Sequence, residues 1–437
     1  MKYFIEVWGC QMNEHDAETL SGIIEERGYS KAENYLEADL ILLHTCCIRA
    51  KAEDKVIGRI GVLSKLKKKK KHLIIAVGGC MTQQEDVARY IEKRFKEVDI
   101  IYGTHNLNEF ATLLESAKAD QKQIKAVSDS EGMDIREYVP IKRNDKLKAY
   151  VNIIYGCNNF CSYCIVPYVR GREKSREIKY IIQEVKELLD QGFKDITLLG
   201  QNVNSYGKDF NDGTNFANLL KELDVLGDYR LRFMSSHPRD FDEALIDVIK
   251  DSKNVCHQIH LPLQSGSDKI IKEMNRGYTK KHYLDLTDYI YKVLPDATIS
   301  TDIIVGFPGE TEEDFQDTLD VVEKVGYDQA YMFQYSIREG TRAAKMTEQV
   351  PEAIKKERFQ RLLELQNKKS LERNNKMIGK TVEVLVEGFG ERNNLTGRTS
   401  GNKVVNFKGV EKLTGKLVWV EITDANTWSL FGKVKGE

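Results

Sequence analysis

The sequence predicts a multidomain α/β protein with an N-terminal parallel α/β domain, a central βα barrel and a small C-terminal β-barrel. Three observations support this prediction. Apolar runs alternate with amphipathic stretches over residues 1–117, a second alternation begins at residue 148, and short strands broken by glycines fill the tail. At 437 residues, the chain is also too long for one ordinary hydrophobic core.

The N-terminal domain, residues 1–117, contains short apolar runs that suit parallel strands buried on both faces, as in a flavodoxin-like sheet. The predicted strands are 2–9, 38–45 and 72–79, and the predicted helices include 14–27 and 84–96. Asn13, followed three residues later by Asp16, is expected to be a helix N-cap. Residues 118–147 turn polar and lose periodicity, which predicts a linker.

The central region, residues 148–350, contains six further apolar strands separated by helical stretches, which predicts a partial or full parallel barrel. The predicted strands are 148–156, 195–201, 231–237, 257–263, 297–306 and 328–336. The predicted helices include 176–191 and 311–325, and the second opens with Thr311 and Asp314 in capping-box spacing. The active site of such a barrel lies at the carboxyl ends of its strands.

The end of the chain changes character. Residues 351–376 predict a connecting helix. Strands are predicted at 381–388, 403–409, 416–423 and 429–436. The glycines between them favour a small β-barrel of the oligonucleotide-binding (OB) kind over residues 377–437.

The composition excludes several classes of protein. No apolar run approaches the roughly 18 residues that cross a bilayer, and the first ten residues lack the layout of a signal peptide. We therefore expect a cytoplasmic protein with no membrane partner. The formal net charge of −1 gives no whole-chain argument for nucleic-acid binding. Eight cysteines in a reducing compartment indicate metal or redox chemistry rather than disulfides.

Three cysteines of the central region stand close together. Cys157, Cys161 and Cys164 have C-x3-C-x2-C spacing just after the first barrel strand, so one loop can wrap three thiolates around a soft metal centre. A structural zinc site would want a fourth ligand, and no Cys or His follows within a dozen residues. We expect a [4Fe-4S] cluster with one open iron. The alternatives are three cysteines that are merely buried, or a zinc site completed by His237, His257 or His260.

This motif, with the aromatic Tyr163 before its last cysteine and a βα barrel around it, resembles the radical S-adenosylmethionine (SAM) enzymes. The resemblance implies that the open iron chelates the amino and carboxylate groups of SAM. It also implies that an electron from the cluster splits SAM into methionine and a 5′-deoxyadenosyl radical. Residues at the strand ends are then candidates for binding SAM, although each could instead be a turn or cap residue. The candidates are Tyr163, Gly200, Gln201, Asn202, Ser236, Gln264, Asp302 and Gly306.

Cys10, Cys46 and Cys80 form a second, widely spaced series. Each stands one residue beyond a predicted strand, and each separation is about the length of one βαβ unit. Right-handed crossovers make these strands parallel, so their carboxyl ends share one edge of the sheet and the three thiolates can converge. The alternative is three buried strand-end cysteines. Cys47 falls outside this phase and is expected to be a bystander.

Motifs spread almost end to end resemble, in order, the methylthiotransferases, and most closely the branch that acts on isopentenyl-adenosine beside the tRNA anticodon. The motifs are GCQMNEHDAE (9–18), HTCCIRAKAEDK (44–55), VGGCMTQ (77–83), GQNVNSYG (200–207), MNRGYT (274–279) and LTGRTSGNKVVNF (395–407). The family implies a second, auxiliary [4Fe-4S] cluster on Cys10, Cys46 and Cys80, a radical SAM barrel, and a C-terminal RNA-binding TRAM domain. The family usually has Asn-Thr-Cys-Ser where this chain has His44-Thr45-Cys46-Cys47, so Cys47 takes the serine position.

The resemblance also implies the reaction. One SAM gives its methyl group to a sulfur at the auxiliary cluster. A second SAM makes the radical that removes hydrogen from carbon 2 of the adenine at position 37, and the methylated sulfur is transferred to that carbon. The implied cofactors are two [4Fe-4S] clusters, SAM as methyl donor and radical source, and an external one-electron reductant. The implied partners are the tRNA anticodon stem-loop and an electron-donor protein such as a flavodoxin or ferredoxin, with the chain acting as a monomer.

Four basic residues are candidates for contact with substrate or RNA: Arg170, Arg172, Arg398 and Lys403. Arg170 and Arg172 could instead form ion pairs near Glu173. Two alternative functions stay within the family: a methylthiotransferase for threonylcarbamoyl-adenosine in tRNA, and one for an aspartate of a ribosomal protein. The motifs CQMN, CIR and GQNVN favour the isopentenyl-adenosine branch. The alternative of another class is a non-catalytic, redox-sensing iron–sulfur protein that binds RNA.

Overall fold

The computed structural model describes residues 1–47, 50–120, 122–128, 135, 137–390 and 393–435. Ile48 and Arg49 of the HTCCIR motif and part of the predicted linker lie outside the described residues. Within the described ranges, no helix is both long and apolar enough to cross a membrane.

The N-terminal domain is a six-stranded parallel sheet with a hydrophobic core on each face. Its strands are β1 (Lys2–Val7), β2 (Ser30–Lys31), β3 (Leu40–Thr45), β4 (Ile74–Gly79), β5 (Ile100–Tyr102) and β6 (Ile124–Ala126). Its helices are α1 (Gln11–Glu25), α2 (Ala50–Lys69), α3 (Glu85–Arg94) and α4 (Phe110–Asp120). The order β2-β1-β3-β4-β5-β6 changes direction between β1 and β3, as in flavodoxin-like sheets. β3 and β4 are buried along their whole length, which explains why their sequences are apolar without alternation.

The structure differs from the sequence predictions at the start of α1 and in strands β2, β5 and β6, which were not predicted. Helix α1 begins at Gln11 with Cys10 as its N-cap residue, so the predicted N-cap at Asn13 is wrong. The Asn13 side chain is buried in the first turn and donates to the Trp8 carbonyl at 3.1 Å. Strand β6 lies inside the predicted linker and pairs with β5. Three half-buried residues are too few to show a periodicity, so this strand could not be predicted from the residue pattern.

The central region is a partial barrel of six parallel strands. Its strands, together with a short antiparallel pair (β8 and β9) after the first of them, are β7 (Lys148–Asn152), β8 (Ile154–Tyr155), β9 (Lys174–Ser175), β10 (Asp195–Leu199), β11 (Arg230–Phe233), β12 (Gln258–His260), β13 (Thr298–Val305) and β14 (Gln329–Gln334). The sheets β7-β10-β11 and β12-β13-β14 meet at a parallel bridge between Leu231 and Val255. The six barrel strands predicted from sequence are therefore confirmed.

Helices connect these strands and cover the outside of the barrel. They are α5 (Val166–Arg170), α6 (Ile178–Asp190), α7 (Phe216–Asp224), α8 (Glu243–Asp251), α9 (Asp268–Glu273), α10 (Lys280–Val293) and α11 (Glu312–Val325). The capping box predicted at the start of α11 is confirmed. The Thr311 hydroxyl accepts from the Asp314 amide at 3.2 Å, and the Asp314 carboxylate accepts from the Thr311 amide at 2.9 Å.

A long helix, α12 (Glu352–Asn375), joins the central barrel to a closed five-stranded C-terminal barrel, as the sequence predicts. The strands of the C-terminal barrel are β15 (Thr381–Phe389), β16 (Leu395–Thr399), β17 (Val404–Phe407), β18 (Leu417–Ala425) and β19 (Leu430–Val434). Strand β16 was not among the predicted strands, because its sequence, LTGRT, carries a glycine and only one large apolar residue. Gly397 is required there, since a Cβ would lie 2.3 Å from the Leu385 carbonyl oxygen of the paired strand.

The C-terminal barrel docks on the amino ends of the central strands, the face opposite their carboxyl ends. Arg232 on β11 holds the contact: it is 5% exposed and donates to the Asp195 carboxylate at 2.9 and 3.0 Å. The same guanidinium also donates to the Thr399 carbonyl at 3.0 Å and to the Ser400 carbonyl. Nearby, the Thr298 hydroxyl donates to the Gly401 carbonyl at 2.8 Å. The carboxyl ends of the barrel strands therefore stay free of the C-terminal barrel.

Replacement of this arginine tests the docking. We expect Arg232→Met to destabilise the chain by about 3 kcal/mol, because it leaves the Asp195 carboxylate buried without its cation. Residues 398–401 should exchange their amide hydrogens faster, which hydrogen-exchange mass spectrometry measures. Lys253→Met is the control, because its ion pair with Asp228 is exposed. Equal protection of residues 398–401 in the wild type and in Arg232→Met would contradict the docking role.

Candidate metal centres and ligand pocket

The cysteines of the N-terminal domain meet at the carboxyl edge of its sheet. Val7 of β1 pairs with His44 of β3, and Thr45 of β3 pairs with Gly79 of β4, so the residues that follow these strands lie side by side. Gly9 has φ +149°, and a Cβ there would lie 2.9 Å from the Cys46 Cβ. Glycine at this position therefore allows the segment before Cys10 to approach Cys46. The segments that carry Cys10, Cys46 and Cys80 therefore lie at one edge of the sheet, and their role as ligands of one cluster stays a prediction.

The Cys80 thiol is the centre of this cysteine group. Burial raises the pKa of Cys10, and the neighbouring Cys80 raises it further while Arg170 opposes both. A hydrogen bond with the Cys47 thiol and the charge of Arg170 lower the pKa of Cys80. Arg170 donates from Nε to the Cys80 sulfur at 3.3 Å. These contacts suit a thiolate, which is the form of cysteine that binds metals.

Cys47 does not stand apart from this group. It is 1% exposed and packs with Cys80 against Ile165 and Val169, which belong to the loop of the barrel cysteines. The hydrogen bond with Cys80 raises the pKa of Cys47, and Cys164 adds to the effect. From its position relative to the predicted strand, Cys47 was expected to take no part in the cysteine site. The fold instead places it between the two cysteine groups. Its family position as a serine equivalent had given no reason to expect this contact.

The three barrel cysteines lie on one loop at the carboxyl end of the first strands. Gly156 has φ +69°, and a Cβ there would lie 2.0 Å from the Arg172 carbonyl oxygen, so only glycine permits this turn. The Cys157 amide donates to the Gly171 carbonyl at 3.1 Å, and the Cys164 amide donates to the Cys161 carbonyl at 2.9 Å. Burial raises the pKa of Cys157 and of Cys164 to about 12, and each is raised further by the Cys161 thiol. The thiols are therefore close neighbours in a dry site.

Zinc fits this loop poorly. No three His, Cys, Asp or Glu side chains among the described residues are arranged to hold a single metal ion. Of the three histidines considered as a fourth zinc ligand, His257 contacts Asp296 and His260 contacts Ser300. His237 accepts from the Arg239 amide at Nδ1, while its buried Nε2 makes no hydrogen bond. Sulfurs that bind different irons of a cluster need not converge on one point, so this finding is compatible with a [4Fe-4S] site.

Arg276 reaches the barrel cysteines from the loop after α9, and the sequence analysis did not single it out. It is 5% exposed, donates from Nη1 to the Cys161 sulfur at 3.4 Å, and donates from Nη2 to the Pro262 carbonyl at 3.2 Å. Its guanidinium also lies beside the buried rings of Tyr163 and Tyr278. The motif MNRGYT carried this arginine, but nothing in the spacing of that motif linked it to a cysteine more than 100 residues earlier.

A cluster of buried polar atoms without a partner lies beside these cysteines, and we take it as the candidate ligand pocket. In the described part of the chain, Asn202 Oδ1, Asn204 Nδ2, Ser236 Oγ, His237 Nε2 and Arg276 Nε are buried and make no hydrogen bond. They are connected: the His237 amide donates to Asn204 Oδ1 at 3.1 Å, and the His237 ring lies against Tyr278. Burying so many unpaired groups is costly unless a polar ligand satisfies them. An amino acid joined to a nucleoside, as in SAM, offers the required donors and acceptors.

The other candidates for SAM binding surround this pocket in different ways. The Gln201 amide donates to the Met12 sulfur of the N-terminal domain. Gln264 has φ +64°, and its backbone bridges to the backbone of Asp302 at 2.8 Å. Asp302 is part-exposed at 30% and faces His260 Nε2 at 3.5 Å. Gln201 and Gln264 follow the carboxyl ends of β10 and β12, as predicted, whereas Asp302 lies in the middle of β13. All three stay candidates.

The two candidate glycines have a packing role. A Cβ on Gly200 would lie 2.4 Å from Ile154 Cγ2, and a Cβ on Gly306 would lie 2.4 Å from Lys355 Cγ. From the sequence, these glycines were expected to let the backbone approach a ligand. The structure instead shows that each makes room for a protein side chain.

The basic candidates for RNA contact separate into two kinds. Arg170 is buried in the N-terminal cysteine group, and Lys403 pairs with Asp328 at 2.6 Å and with Asn374 at 2.8 Å in the docked C-terminal barrel. Both side chains thus have protein partners. Arg172 is exposed and lies over the Phe160 ring at 4.5 Å, and Arg398 is 35% exposed beside Glu387. These two keep accessible charge.

A buried histidine at the junction of the two domains predicts a pH dependence. Burial lowers the pKa of His15 to about 4, and the nearby Arg143 lowers it further. The unfolded chain protonates histidine near pH 6.5, so between pH 6.5 and about 4 stability falls as the pH falls, by up to about 3 kcal/mol. We expect His15→Gln to lose this pH-dependent part of the stability. Amide hydrogen exchange of α1 at pH 7 and pH 5 measures it. The same pH dependence in the wild type and the variant would contradict it.

Comparisons with known proteins match each of the three folded parts of the chain. Residues 2–103 match the uncharacterized protein family UPF0004, residues 151–322 match the radical SAM superfamily, and residues 375–435 match the TRAM domain. A tRNA-2-methylthio-N(6)-dimethylallyladenosine synthase from Acetivibrio thermocellus is 55% identical over 435 residues, which cover 99% of this chain and 90% of the relative. The protein of the same name from Alkaliphilus oremlandii is 54% identical over 436 residues, which cover 99% of this chain and 92% of the relative.

Solved structures give the fold independently. The radical SAM methyltransferase TsrM from Kitasatospora setae, solved with cobalamin and a [4Fe-4S] cluster bound, has a TM-score of 0.57 to this chain. The match covers 78% of this chain and 77% of that chain at 14% sequence identity, so it supports the fold alone. The high identity to the curated relatives over nearly the full length decides the family. The chain belongs to the tRNA-2-methylthio-N(6)-dimethylallyladenosine synthase family of radical SAM proteins.

Proposed function

We propose that this protein is the tRNA methylthiotransferase that places a methylthio group on carbon 2 of isopentenyl-adenosine at position 37, next to the anticodon. The observation that carries the proposal is the meeting of two cysteine groups at one junction. Cys47 and Cys80 of the N-terminal domain pack against Ile165 and Val169 of the barrel cysteine loop. A reaction that joins sulfur to a carbon radical needs its sulfur source and its radical source side by side.

The cysteines would have the following roles as cluster ligands. Cys157, Cys161 and Cys164 would hold the radical SAM cluster, and Cys10, Cys46 and Cys80 the auxiliary cluster. When bound, these clusters and SAM supply the electron, the radical and the methylated sulfur. The adenine C–H bond is neither acidic nor electrophilic, so the side chains need no acid–base step.

The protein's own part is to bind, orient and exclude water. Asn202, Asn204, Ser236 and His237 present unpaired polar atoms to the pocket, where they would orient SAM against the open iron. The cysteine junction is buried, which keeps water from the radical. Gln201 bridges to Met12 and so fixes the pocket against the N-terminal domain.

The tRNA would also contact the C-terminal barrel. Trp419 and Trp428 are 57% and 67% exposed, and exposed aromatic rings can stack on unpaired bases. Arg172, exposed at the mouth of the cysteine loop, could meet phosphates. The C-terminal barrel docks at the amino ends of the central strands, so a tRNA that uses both surfaces must extend around the central barrel.

Three further parts of the proposal concern the cell. A flavodoxin or ferredoxin would deliver the electron, the chain would act as a monomer, and the cytoplasm would be its location. The eight cysteines are all free in the structure, which suits a reducing compartment.

The substrate is tested in cells. Total tRNA from cells that lack the protein should be digested and analysed by mass spectrometry, and 2-methylthio-isopentenyl-adenosine should be absent while isopentenyl-adenosine accumulates. The wild-type gene should restore the modified nucleoside, and the Cys157→Ala gene should not. Persistence of 2-methylthio-isopentenyl-adenosine would refute the substrate. Loss of the methylthio form of threonylcarbamoyl-adenosine instead would assign the related tRNA substrate.

A further inference from the structure

Arg170 crosses from the central barrel into the N-terminal domain. It is the last residue of α5, on the loop that carries the barrel cysteines, and it is 6% exposed. Its Nε donates to the Cys80 sulfur at 3.3 Å. Its Nη2 donates to Asp16 Oδ2 at 2.7 Å and to Asn13 Oδ1 at 2.9 Å. One guanidinium thus joins a sulfur of one domain to the loop of the other.

Asp16 and Asn13 hold the orientation of this guanidinium, and the His44 ring lies behind Asp16 without a hydrogen bond to it. Asp16 is 4% exposed and lies 3.6 Å from His44 Nε2, and His44 Nδ1 lies 3.2 Å from the Tyr102 hydroxyl. With one edge of the guanidinium bound to Asp16 and Asn13, the Nε–H can point only at the sulfur. A lysine could carry the charge but could not serve both partners with this fixed geometry.

We propose that Arg170 is a positioning residue that raises the reduction potential of the auxiliary cluster from across the domain boundary, an inference that rests on the proposed function. Reduction adds one negative charge to the cluster. A positive charge and an N–H···S hydrogen bond stabilise that charge, so they favour the reduced state. Asp16 opposes the effect through its own negative charge while it holds the arginine in place.

The test measures a potential and not an activity. In the full chain, Cys157, Cys161 and Cys164 are all changed to alanine, so that only the auxiliary cluster is reconstituted. Its reduction is then followed by electron paramagnetic resonance in a potentiometric titration. We expect Arg170→Met to lower the ratio of reduced to oxidised cluster at least tenfold at a fixed potential, a shift of 59 mV for one electron.

Two further variants test the sign of the electrostatic effect on the potential and the need for the guanidinium geometry. Asp16→Asn should raise the potential, because it removes a negative charge and leaves the arginine in place. Arg170→Lys should lie between the wild type and Arg170→Met. The control is Arg172→Met, which removes a positive charge from the same loop at an exposed position whose guanidinium lies over Phe160.

The possible results separate failure of the inference about Arg170 from failure of the proposed function. Equal potentials in the wild-type background, Arg170→Met and Asp16→Asn would overturn the inference while the cluster itself is present. If Arg170→Met binds no iron, Arg170→Lys and Asp16→Asn carry the test, and shifts of the same sign in both would overturn it. If the triple-alanine chain itself binds no iron, the auxiliary cluster is absent and the proposed function fails with it.

Discussion

Alanine at Cys157 should abolish the formation of 5′-deoxyadenosine and all thiolation of tRNA, while about half of the iron stays bound. The loss is complete because three thiolates of one loop would hold the cluster that cleaves SAM, and a site with two ligands loses its cluster. The remaining iron would belong to the auxiliary cluster, whose proposed cysteines follow the strands of the N-terminal sheet. Iron analysis and chromatography of the SAM cleavage products give both quantities after anaerobic reconstitution.

The matched control is Cys256→Ala. Cys256 is also buried in the central barrel, but it lies near Arg232 and Asp195 at the amino ends of the strands. This variant should keep both clusters and form 5′-deoxyadenosine at the wild-type rate. Formation of 5′-deoxyadenosine by Cys157→Ala would show that these cysteines do not hold the radical cluster.

The second large effect separates two adjacent cysteines. Cys46→Ala should lose about half of the iron and all thiolation of tRNA, whereas Cys47→Ser should keep both clusters. The reason is register: Thr45 pairs with Gly79, so Cys46 is level with Cys80, and Gly9 leaves space for it beside Cys10. Cys47→Ser also restores the residue that the family usually has here. SAM cleavage should continue in both variants, because the barrel cysteines are intact.

The contact of Cys47 with Cys80 makes this comparison decisive. If Cys47→Ser loses iron and Cys46→Ala keeps it, Cys47 is the ligand and the register argument fails. Equal loss in both variants would mean that the auxiliary site uses both thiols. Cleavage of SAM serves as the internal control for folding in each case.

Much of this architecture was predictable because it depends on patterns that lie close together in sequence. Apolar strands and strand-end cysteines predicted the N-terminal sheet and the meeting of Cys10, Cys46 and Cys80, because right-handed crossovers leave few arrangements. The spacing of the barrel cysteines alone predicted that one loop could hold a metal centre. Strands β2, β5, β6 and β16 were missed because each is short or weakly apolar, and their pairing with neighbours is a tertiary effect.

The contacts that cross domains were not predictable. Arg170 lies 90 residues from Cys80 in sequence, and its position next to basic Arg172 favoured an exposed role. Arg276 reaches Cys161 over 115 residues. Lys403 is held by Asp328, although its place in a predicted RNA-binding barrel made it a candidate for RNA. Arg170 and Lys403 are held by partners in another domain, and Arg276 by a partner far away in its own domain. No local sequence pattern records these partners.

The proposed reaction can be measured in vitro on a defined RNA. The anaerobically reconstituted chain, chemically reduced, is mixed with SAM and an anticodon stem-loop that carries isopentenyl-adenosine at position 37, and the products are quantified by mass spectrometry. We predict 2-methylthio-isopentenyl-adenosine together with 5′-deoxyadenosine and S-adenosylhomocysteine, and none of the modified nucleoside with the Cys157→Ala protein. Formation of 5′-deoxyadenosine with no change at carbon 2 of the adenine would contradict the account.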